Sequence, residues 1–379
     1  MSILKSQRDR FIMDEKITYL NCSYMALKLK EVHKAGQESL EQFSKPWLYT
    51  PEHFFETVEK CRTLYASIIG ACADQIAVIP SVSYGMALAA QNVSIQFGKE
   101  ILVLKDQFPS NIYAWRRLAK HRSLRIVTID HEPGKSLTEV LLDNIHENTS
   151  LVCVPQVRWS DGALLDLEAI SKKAQSFGAS LVVDGIQSVG AYPFDVKKIK
   201  PAFMAVSSYK WLLGPYNLGF LYVDENYLES EPIEFNWMNR RGSENFKNLT
   251  QYQEQYQAGA RRFDMGEKTQ FLQMPMAEAA MTQILKWGVE NIQKSIGRLS
   301  SPLRKELQEM GFTILDARES VAHIIGIREG ERKFGKNIEQ SFKKAGIYIS
   351  FRGDVIRVSP HIYNTSEELG RFLEILKGN

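Results

Sequence analysis

Cysteine is scarce in this chain. There are four among 379 residues, Cys22, Cys61, Cys72 and Cys153. They are scattered with no C-x-x-C pair, so neither a zinc site nor a disulfide framework is expected, and no metal site is. Long apolar runs are also missing: none approaches the roughly 20 residues that span a bilayer. The opening segment from Met1 to Arg10 lacks the apolar stretch of a signal peptide. The cytoplasm is therefore the expected location. An excess of one charge is absent too, since 47 basic and 44 acidic side chains leave +3. That balance gives no electrostatic footprint for nucleic acid. Small molecules, rather than nucleic acid or membrane, are the expected partners. No internal repeat and no low-complexity tract is visible.

What remains is an ordinary globular composition, 44% hydrophobic and 24% charged, which excludes disorder as the overall state. The length suggests two or three domains and a core that buries about three-quarters of the unfolded surface. From about Ile76 to Val223 short apolar runs alternate with helical patterns. The predicted strands are 101–104, 124–129, 151–154, 181–183, 203–206 and 219–223, rich in β-branched residues and apolar throughout, as strands covered on both faces should be. Helical stretches 112–121, 137–145 and 167–177 lie between them, with Gly178 a stop for the last. This alternation predicts an α/β architecture with a mostly parallel sheet and helices on both faces. After Arg262 the pattern changes to a long helical region from Pro275 to Met310. β-like runs follow at 321–327, 347–350 and 355–358, with helices at 337–345 and 366–376. The division expected is a large α/β domain over residues 1–260 and a small C-terminal α+β domain over 261–379. The polar stretch 239–256 reads as a surface loop or connection.

Asp184 stands where the apolar run Leu181-Val182-Val183 ends, and open α/β sheets bind ligands at the carboxyl ends of their strands. A plain strand-terminating Asp-Gly turn explains it equally well. Lys210 follows the next such run in Ser207-Ser208-Tyr209-Lys210. A lysine against an apolar wall loses hydration and becomes a usable nucleophile, although most isolated lysines are solvated surface residues. The two lie 26 positions apart. As a pair they suit pyridoxal phosphate, which needs a lysine for its aldehyde and an acid to keep its pyridine nitrogen protonated. The Pro80-Ser81-Val82-Ser83 segment opens a helical stretch, where free N–H groups form an anion site. Simple N-capping by Ser81 or Ser83 is the alternative.

Together these segments resemble the class V aminotransferases, pyridoxal-phosphate enzymes of fold type I that include kynureninases, isopenicillin-N-epimerase-like proteins and cysteine desulfurases. The resemblance runs from Tyr19-Leu20-Asn21 to Tyr363-Asn364-Thr365. Asp184-Gly185-Ile186-Gln187 is similar to the family's D-x-x-Q, which implies that Asp184 pairs with the pyridinium and Gln187 bonds the ring hydroxyl. Ser207-Ser208-Tyr209-Lys210 is similar to its S-x-[HY]-K. That implies Lys210 as the lysine joined to the cofactor, with Ser207 and Tyr209 on the phosphate. Val82 and Ser83 fall where the family's helix start also binds phosphate. Phe108 resembles the aromatic that stacks on the ring in kynureninase-like members, and Arg357 the arginine that grips the substrate carboxylate. An arginine fork matches a carboxylate bidentately, and an aromatic face orients a flat ring. Asn21, Asn111, Trp237 and Asn239 are candidates for the side-chain pocket. The resemblance further implies a homodimer with sites at the interface.

Departures sharpen this reading. A desulfurase of this family carries a reactive cysteine shortly before the arginine, and residues 324–353 contain none. Tyr84 replaces an acidic residue common among relatives. In the segment Arg262 to Glu267, Glu267 stands where relatives place a threonine that reaches the partner's phosphate. A carboxylate repels phosphate, which leaves that contact to Lys268 or Thr269 if it exists. A serine acyl-enzyme reading of S-x-x-K lacks its S-D-N and K-T-G partners. A P-loop reading of Gly134-Lys135-Ser136 fails because Ile129 holds the position of the upstream glycine. A non-catalytic relative of the fold would not need both Lys210 and Asp184. The expected activity is transamination of an amino acid; epimerase or kynureninase-like lyase chemistry would use the same residues.

Overall fold

A computed structural model of the chain describes residues 3–96 and 98–378. It begins with a short strand β1 (Thr18–Tyr19) and helices α1 (Lys30–Phe43) and α2 (Glu56–Ile69). Strands and helices then alternate as β2 (Ile76–Ile79), α3 (Val82–Asn92), β3 (Glu100–Leu104), α4 (Tyr113–Arg122), β4 (Arg125–Ile129), α5 (Leu137–Asn144) and β5 (Thr149–Pro155). They continue as α6 (Leu167–Ser176), β6 (Ser180–Asp184), α7 (Val196–Ile199), β7 (Phe203–Ser207) and β8 (Gly219–Val223). Seven of these strands form one sheet in the order β2-β8-β7-β6-β5-β3-β4. The run from β4 to β7 is parallel, and β8 lies antiparallel to both of its neighbours. The mostly parallel α/β sheet expected from the alternation is what forms.

The strands form where β-branched, apolar residues leave no polar face to turn toward water. β3, β5, β7 and β8 are buried along their whole length. β4 departs from the expected two-sided cover, because it is the sheet's edge and Arg125 and Thr128 face outward. Helix α6 shows the local logic clearly. The Asp166 side chain accepts from the Ala169 N–H at 3.0 Å, and Leu167, Ile170 and Ala174 bury one face. Gly178, at φ 72°, then supplies the left-handed turn that ends it.

The C-terminal part differs from expectation in three ways. The long helical region is two helices, α8 (Gln273–Trp287) and α9 (Val289–Glu309), broken at Gly288 with φ 76°. The run 321–327 becomes a strand only at its end, β9 (Ile325–Ile327). After α10 (Ile338–Lys344), the run 347–350 divides between two sheets. Its first half is β10 (Ile347–Tyr348), which pairs in parallel with β1, and its end begins β11 (Ser350–Arg352). β11 pairs with β12 (Val355–Val358), and β12 pairs with β9. Helix α11 (Ser366–Lys377) closes the chain behind a capping box of Thr365 and Glu368. Leu20, Phe342, Ile356 and Phe372 belong to a separate apolar cluster under this small sheet. The bridge of Asn21 to Ser359 ties the N-terminal segment beside it.

Candidate active site

β6 and β7 are parallel neighbours, so Asp184 and the turn carrying Lys210 leave the sheet at the same edge. Asp184 ends β6, and its Oδ1 accepts from the Ile186 N–H at 3.0 Å. After β7 the chain folds tightly. The Gly214 N–H donates to the Ser208 carbonyl at 2.8 Å, and the Ser208 hydroxyl donates to the Pro215 carbonyl. The two turns press together at Gly190, where a Cβ would stand 2.3 Å from the Trp211 carbonyl oxygen. At φ 101° only glycine sits there without strain.

Both charged groups are buried, and burial opposes charge on each. The Lys210 ammonium is pushed down to about 8, by desolvation first and by the Arg357 charge second, with Asp184 pulling the other way. Desolvation raises the Asp184 carboxyl to about 6, while the Ile186 N–H and the Lys210 charge restrain the rise. Among the described residues no direct ion pair joins them.

They face a cavity of about 290 Å³. Of the residues singled out in the sequence, it brings together Val82, Ser83, Phe108, Asp184, Gln187, Ser207, Tyr209 and Lys210. Helix α3 points its first turn at this space. Ser81 caps the helix by accepting from the Tyr84 N–H at 3.2 Å, and its hydroxyl lies 3.0 Å from that of Ser83. The N–H groups of Val82 and Ser83 stand at positions that have no partner within a helix. Phe108 is half exposed, with its ring centroid 5.8 Å from Lys210 Nζ. The Gln187 side chain accepts from Trp211 Nε1 at 2.8 Å and donates to the Ser23 carbonyl at 3.1 Å. Its second amide hydrogen is not used in either bond.

Arg357 lies just beyond the cavity wall, 1% exposed. It donates to the Trp159 carbonyl at 2.7 Å and to the Ser350 hydroxyl at 3.4 Å, and its Nε has no partner. Burial and the charge of Arg352 push the guanidinium down to about 9. Asn21 touches this system indirectly, its Oδ1 accepting from the Ser350 hydroxyl at 2.7 Å. Asn111 is not brought to the cavity: it is buried, with Oδ1 accepting from Trp115 Nε1 at 3.0 Å. Trp237 packs edge-on to Phe246, while Asn239 is a buried bridge that donates to the Asp264 carbonyl at 2.7 Å.

The segment in which Glu267 replaces threonine has its neighbours committed elsewhere. Glu267 is exposed. Lys268 is buried and donates to Asp264 Oδ2 at 2.9 Å, and the Thr269 hydroxyl donates to the Phe54 carbonyl at 2.8 Å. Both side chains are buried and hold partners within the chain.

Sequence reasoning missed Trp159, Tyr216, Asn217 and Gln107, which also line the cavity. Trp159 follows the end of β5 and Gln107 the end of β3, so the strand-end rule that selected Asp184 would have reached both. Tyr216 and Asn217 gave no local signal, because they arrive through the turn after Lys210. A larger, open groove of about 1300 Å³ near Tyr192 and Arg318 contains neither Lys210 nor Asp184. Chemistry rather than size picks out the smaller space.

Sheet order, strand-end lysine and carboxylate define the fold-type-I architecture of pyridoxal-phosphate enzymes. The sequence profile of the aminotransferase class-V family matches residues 18–372, and the chain belongs to that family. Its cofactor is pyridoxal 5'-phosphate. An uncharacterized aminotransferase, YcbU, of Bacillus subtilis (strain 168) is 29% identical over 355 residues, covering 92% of this chain and 90% of its own. A kynureninase of Geobacillus thermodenitrificans (strain NG80-2) is 23% identical over 395 residues, covering 99% and 91%. Among solved structures, an apo cysteine desulfurase of Thermococcus onnurineus NA1 superposes with a TM-score of 0.85 at 20% identity, covering 100% of both chains. That likeness speaks to the fold. Among the described residues no helix is long and apolar enough to cross a membrane.

Proposed function

We propose that the chain is an aminotransferase that moves the amino group of an amino acid to a keto acid, with Lys210 as the residue joined to the cofactor. The observation that carries the cofactor part of this reading, which lyase and epimerase chemistry would share, is the buried pair of Lys210 and Asp184 on adjacent strand ends, facing one cavity. The residues present fit the cofactor: the cavity offers an amine, a carboxylate, an unsatisfied helix N-terminus and an aromatic face, with a partnerless buried arginine Nε beyond its wall. When bound, pyridoxal phosphate supplies an electron sink that acidifies the hydrogen on the amino acid's α-carbon. Lys210, pushed down to about 8, is free as the amine in part at neutral pH and would take that proton from the α-carbon and deliver it to the cofactor's carbon, since return to the α-carbon would give epimerisation instead. Asp184 is ionised above about pH 6 and holds a proton on a ring nitrogen by its charge. The N–H groups of Val82 and Ser83, with Ser207 and Tyr209, bind phosphate. Phe108 orients the ring, the spare Gln187 hydrogen meets the ring oxygen, and Arg357 takes the α-carboxylate. Asn21 holds Ser350 against that arginine.

The name of one relative, the uncharacterized aminotransferase YcbU at 29% identity, favours transamination over the side-chain cleavage of the kynureninase relatives at 23–24%. Desulfurase chemistry has no thiol to work with. Cys22, Cys61 and Cys153 are buried with their thiols pushed up by desolvation, and Cys72 belongs to no part of the cavity. The same proposal carries a cytoplasmic homodimer and the division into residues 1–260 and 261–379. Exposed aromatics including Trp47, Phe235 and Tyr252 give a second subunit something to cover.

The test is the visible spectrum of the protein supplied with pyridoxal phosphate, before and after borohydride, beside Lys210→Ala. The expected result is a cofactor band that borohydride fixes covalently to the native chain alone. Amino acids offered with keto-acid acceptors then give transfer only when an acceptor is present. Equal fixation in Lys210→Ala, or release of alanine or ammonia without acceptor, would refute the reading.

A further inference from the structure

The hairpin of β11 and β12 carries two arginines on one face. Arg352 is opposite Val355 and Ser350 is opposite Arg357, and opposed residues project to the same side of a sheet. Each guanidinium carbon lies 5.9 Å from the centroid of the Trp159 ring. Trp159 in turn packs edge-on to Phe108 at 5.5 Å, and Phe108 is the ring beside Lys210. The two cations therefore stand together behind Trp159, just beyond the cavity wall.

Among the described residues no carboxylate forms an ion pair with them. The nearby acids are spent: Asp161 pairs with Arg158 and Arg328, and Asp354 with Arg328. Among the described residues neither Arg352 nor Arg357 has an ion pair. Arg352 has one hydrogen bond, to the Phe351 carbonyl at 2.9 Å. Arg357 keeps an unpartnered Nε in a fully buried setting. Like charges held close without a counter-ion raise one another's energy. The charge of Arg352 is felt at both Arg357 and Lys210. One carboxylate can satisfy one fork bidentately, which leaves the second arginine still unmatched.

We propose that Arg352 is a specificity residue that reads a second anionic group, so that the amino acid taken here has an acidic side chain, its α-carboxylate on Arg357 and its side-chain carboxylate on Arg352. The inference rests on the reading of the cavity as an amino-acid site. A neutral substrate would leave Arg352 unmatched; a dicarboxylate would neutralise both cations at once.

Calorimetric titration with succinate, glutarate and butyrate tests it on the full chain, both loaded with pyridoxal phosphate and without it. These probes present two carboxylates or one and need no turnover. The native chain is expected to bind at least one of the dianions about tenfold or more tighter than butyrate, the scale of one charge-assisted contact. Arg352→Gln is expected to collapse that ratio toward one, with Arg352→Lys retaining part of it, and Arg357→Gln to weaken all three probes. Circular dichroism establishes that each variant is folded. No preference for a dianion, no binding of any probe, or a preference that survives Arg352→Gln overturns the proposal. Failure of the Lys210 reading would appear separately, as a missing cofactor band, because the titration without cofactor reads the arginines alone.

Discussion

Trp211 Nε1 donates to the side-chain oxygen of Gln187 at 2.8 Å. One bond thus joins the residue after Lys210 to the residue three places beyond Asp184, and it locks two neighbouring strand ends into one unit. The same ring lies edge-on to His323 at 4.5 Å, and His323 Nε2 donates to the Gln187 carbonyl at 2.8 Å.

Gln187→Leu leaves the buried Trp211 N–H without an acceptor. An unsatisfied buried donor costs about 1–3 kcal/mol. Urea unfolding is expected to show a loss of that size, and titration with pyridoxal phosphate a weaker affinity. Unchanged affinity in a destabilised variant would confine Gln187 to a structural role.

Cofactor loading should depend on pH in a defined direction. A free amine is the reactive form, and burial brings the Lys210 ammonium from 10.5 down to about 8. The rate of loading is expected to rise from pH 7 through about 8 and then level, instead of rising until pH 10. At pH 7 about a tenth of the lysine is neutral. Below about pH 6 Asp184 takes up a proton, and retention of the cofactor is expected to fall. Stopped-flow absorbance across pH 5 to 10 follows both limbs. Asp184→Asn is expected to lose the acid limb.

Two buried histidines should make the fold acid-sensitive. Desolvation lowers His323 from 6.5 to about 4 and His361 to about 3. Below 6.5 the unfolded chain therefore binds protons that the folded chain refuses. Their contribution is complete above pH 6.5 and declines as pH falls toward those lowered values, by up to about 1.4 kcal/mol per pH unit for each residue. His361 stacks near Trp211 and Tyr363 with neither ring nitrogen partnered. His361→Phe is expected to flatten the fall in Tm between pH 7 and 5. An equally steep fall in that variant would refute the assignment.

Asp264 organises a second buried cluster. It accepts from Arg62 at 2.8 and 3.1 Å, from Lys268 at 2.9 Å and from the Val78 N–H at 2.7 Å. Its carboxyl is held below the usual range by the Arg62 and Lys268 charges, which outweigh its burial. Asp264→Asn leaves two buried cations short of a counter-ion, a change worth about 3–5 kcal/mol. Chemical denaturation is expected to show that loss, and a loss under 1 kcal/mol would show that Glu59, which also pairs with Arg62, suffices alone.

The sequence by itself determined the α/β class, the strand runs and the pair of Asp184 and Lys210. Each of these rests on local order: β-branched apolar runs make strands, and a chemical residue directly after such a run emerges at the sheet edge. Tertiary structure alone decided the rest. Gly288 broke one expected helix into α8 and α9, and the run 347–350 was divided because β1, more than 300 residues earlier, claims its first half. Asn111 left the candidate site because Trp115, one helical turn on, takes its oxygen. Arg352 came to stand against Trp159, a wall residue of the site, from a segment distant in sequence, through packing that no local pattern encodes. Periodicity reports which face of an element is apolar; which elements then meet depends on long-range contacts, and those set the company that Lys210 keeps.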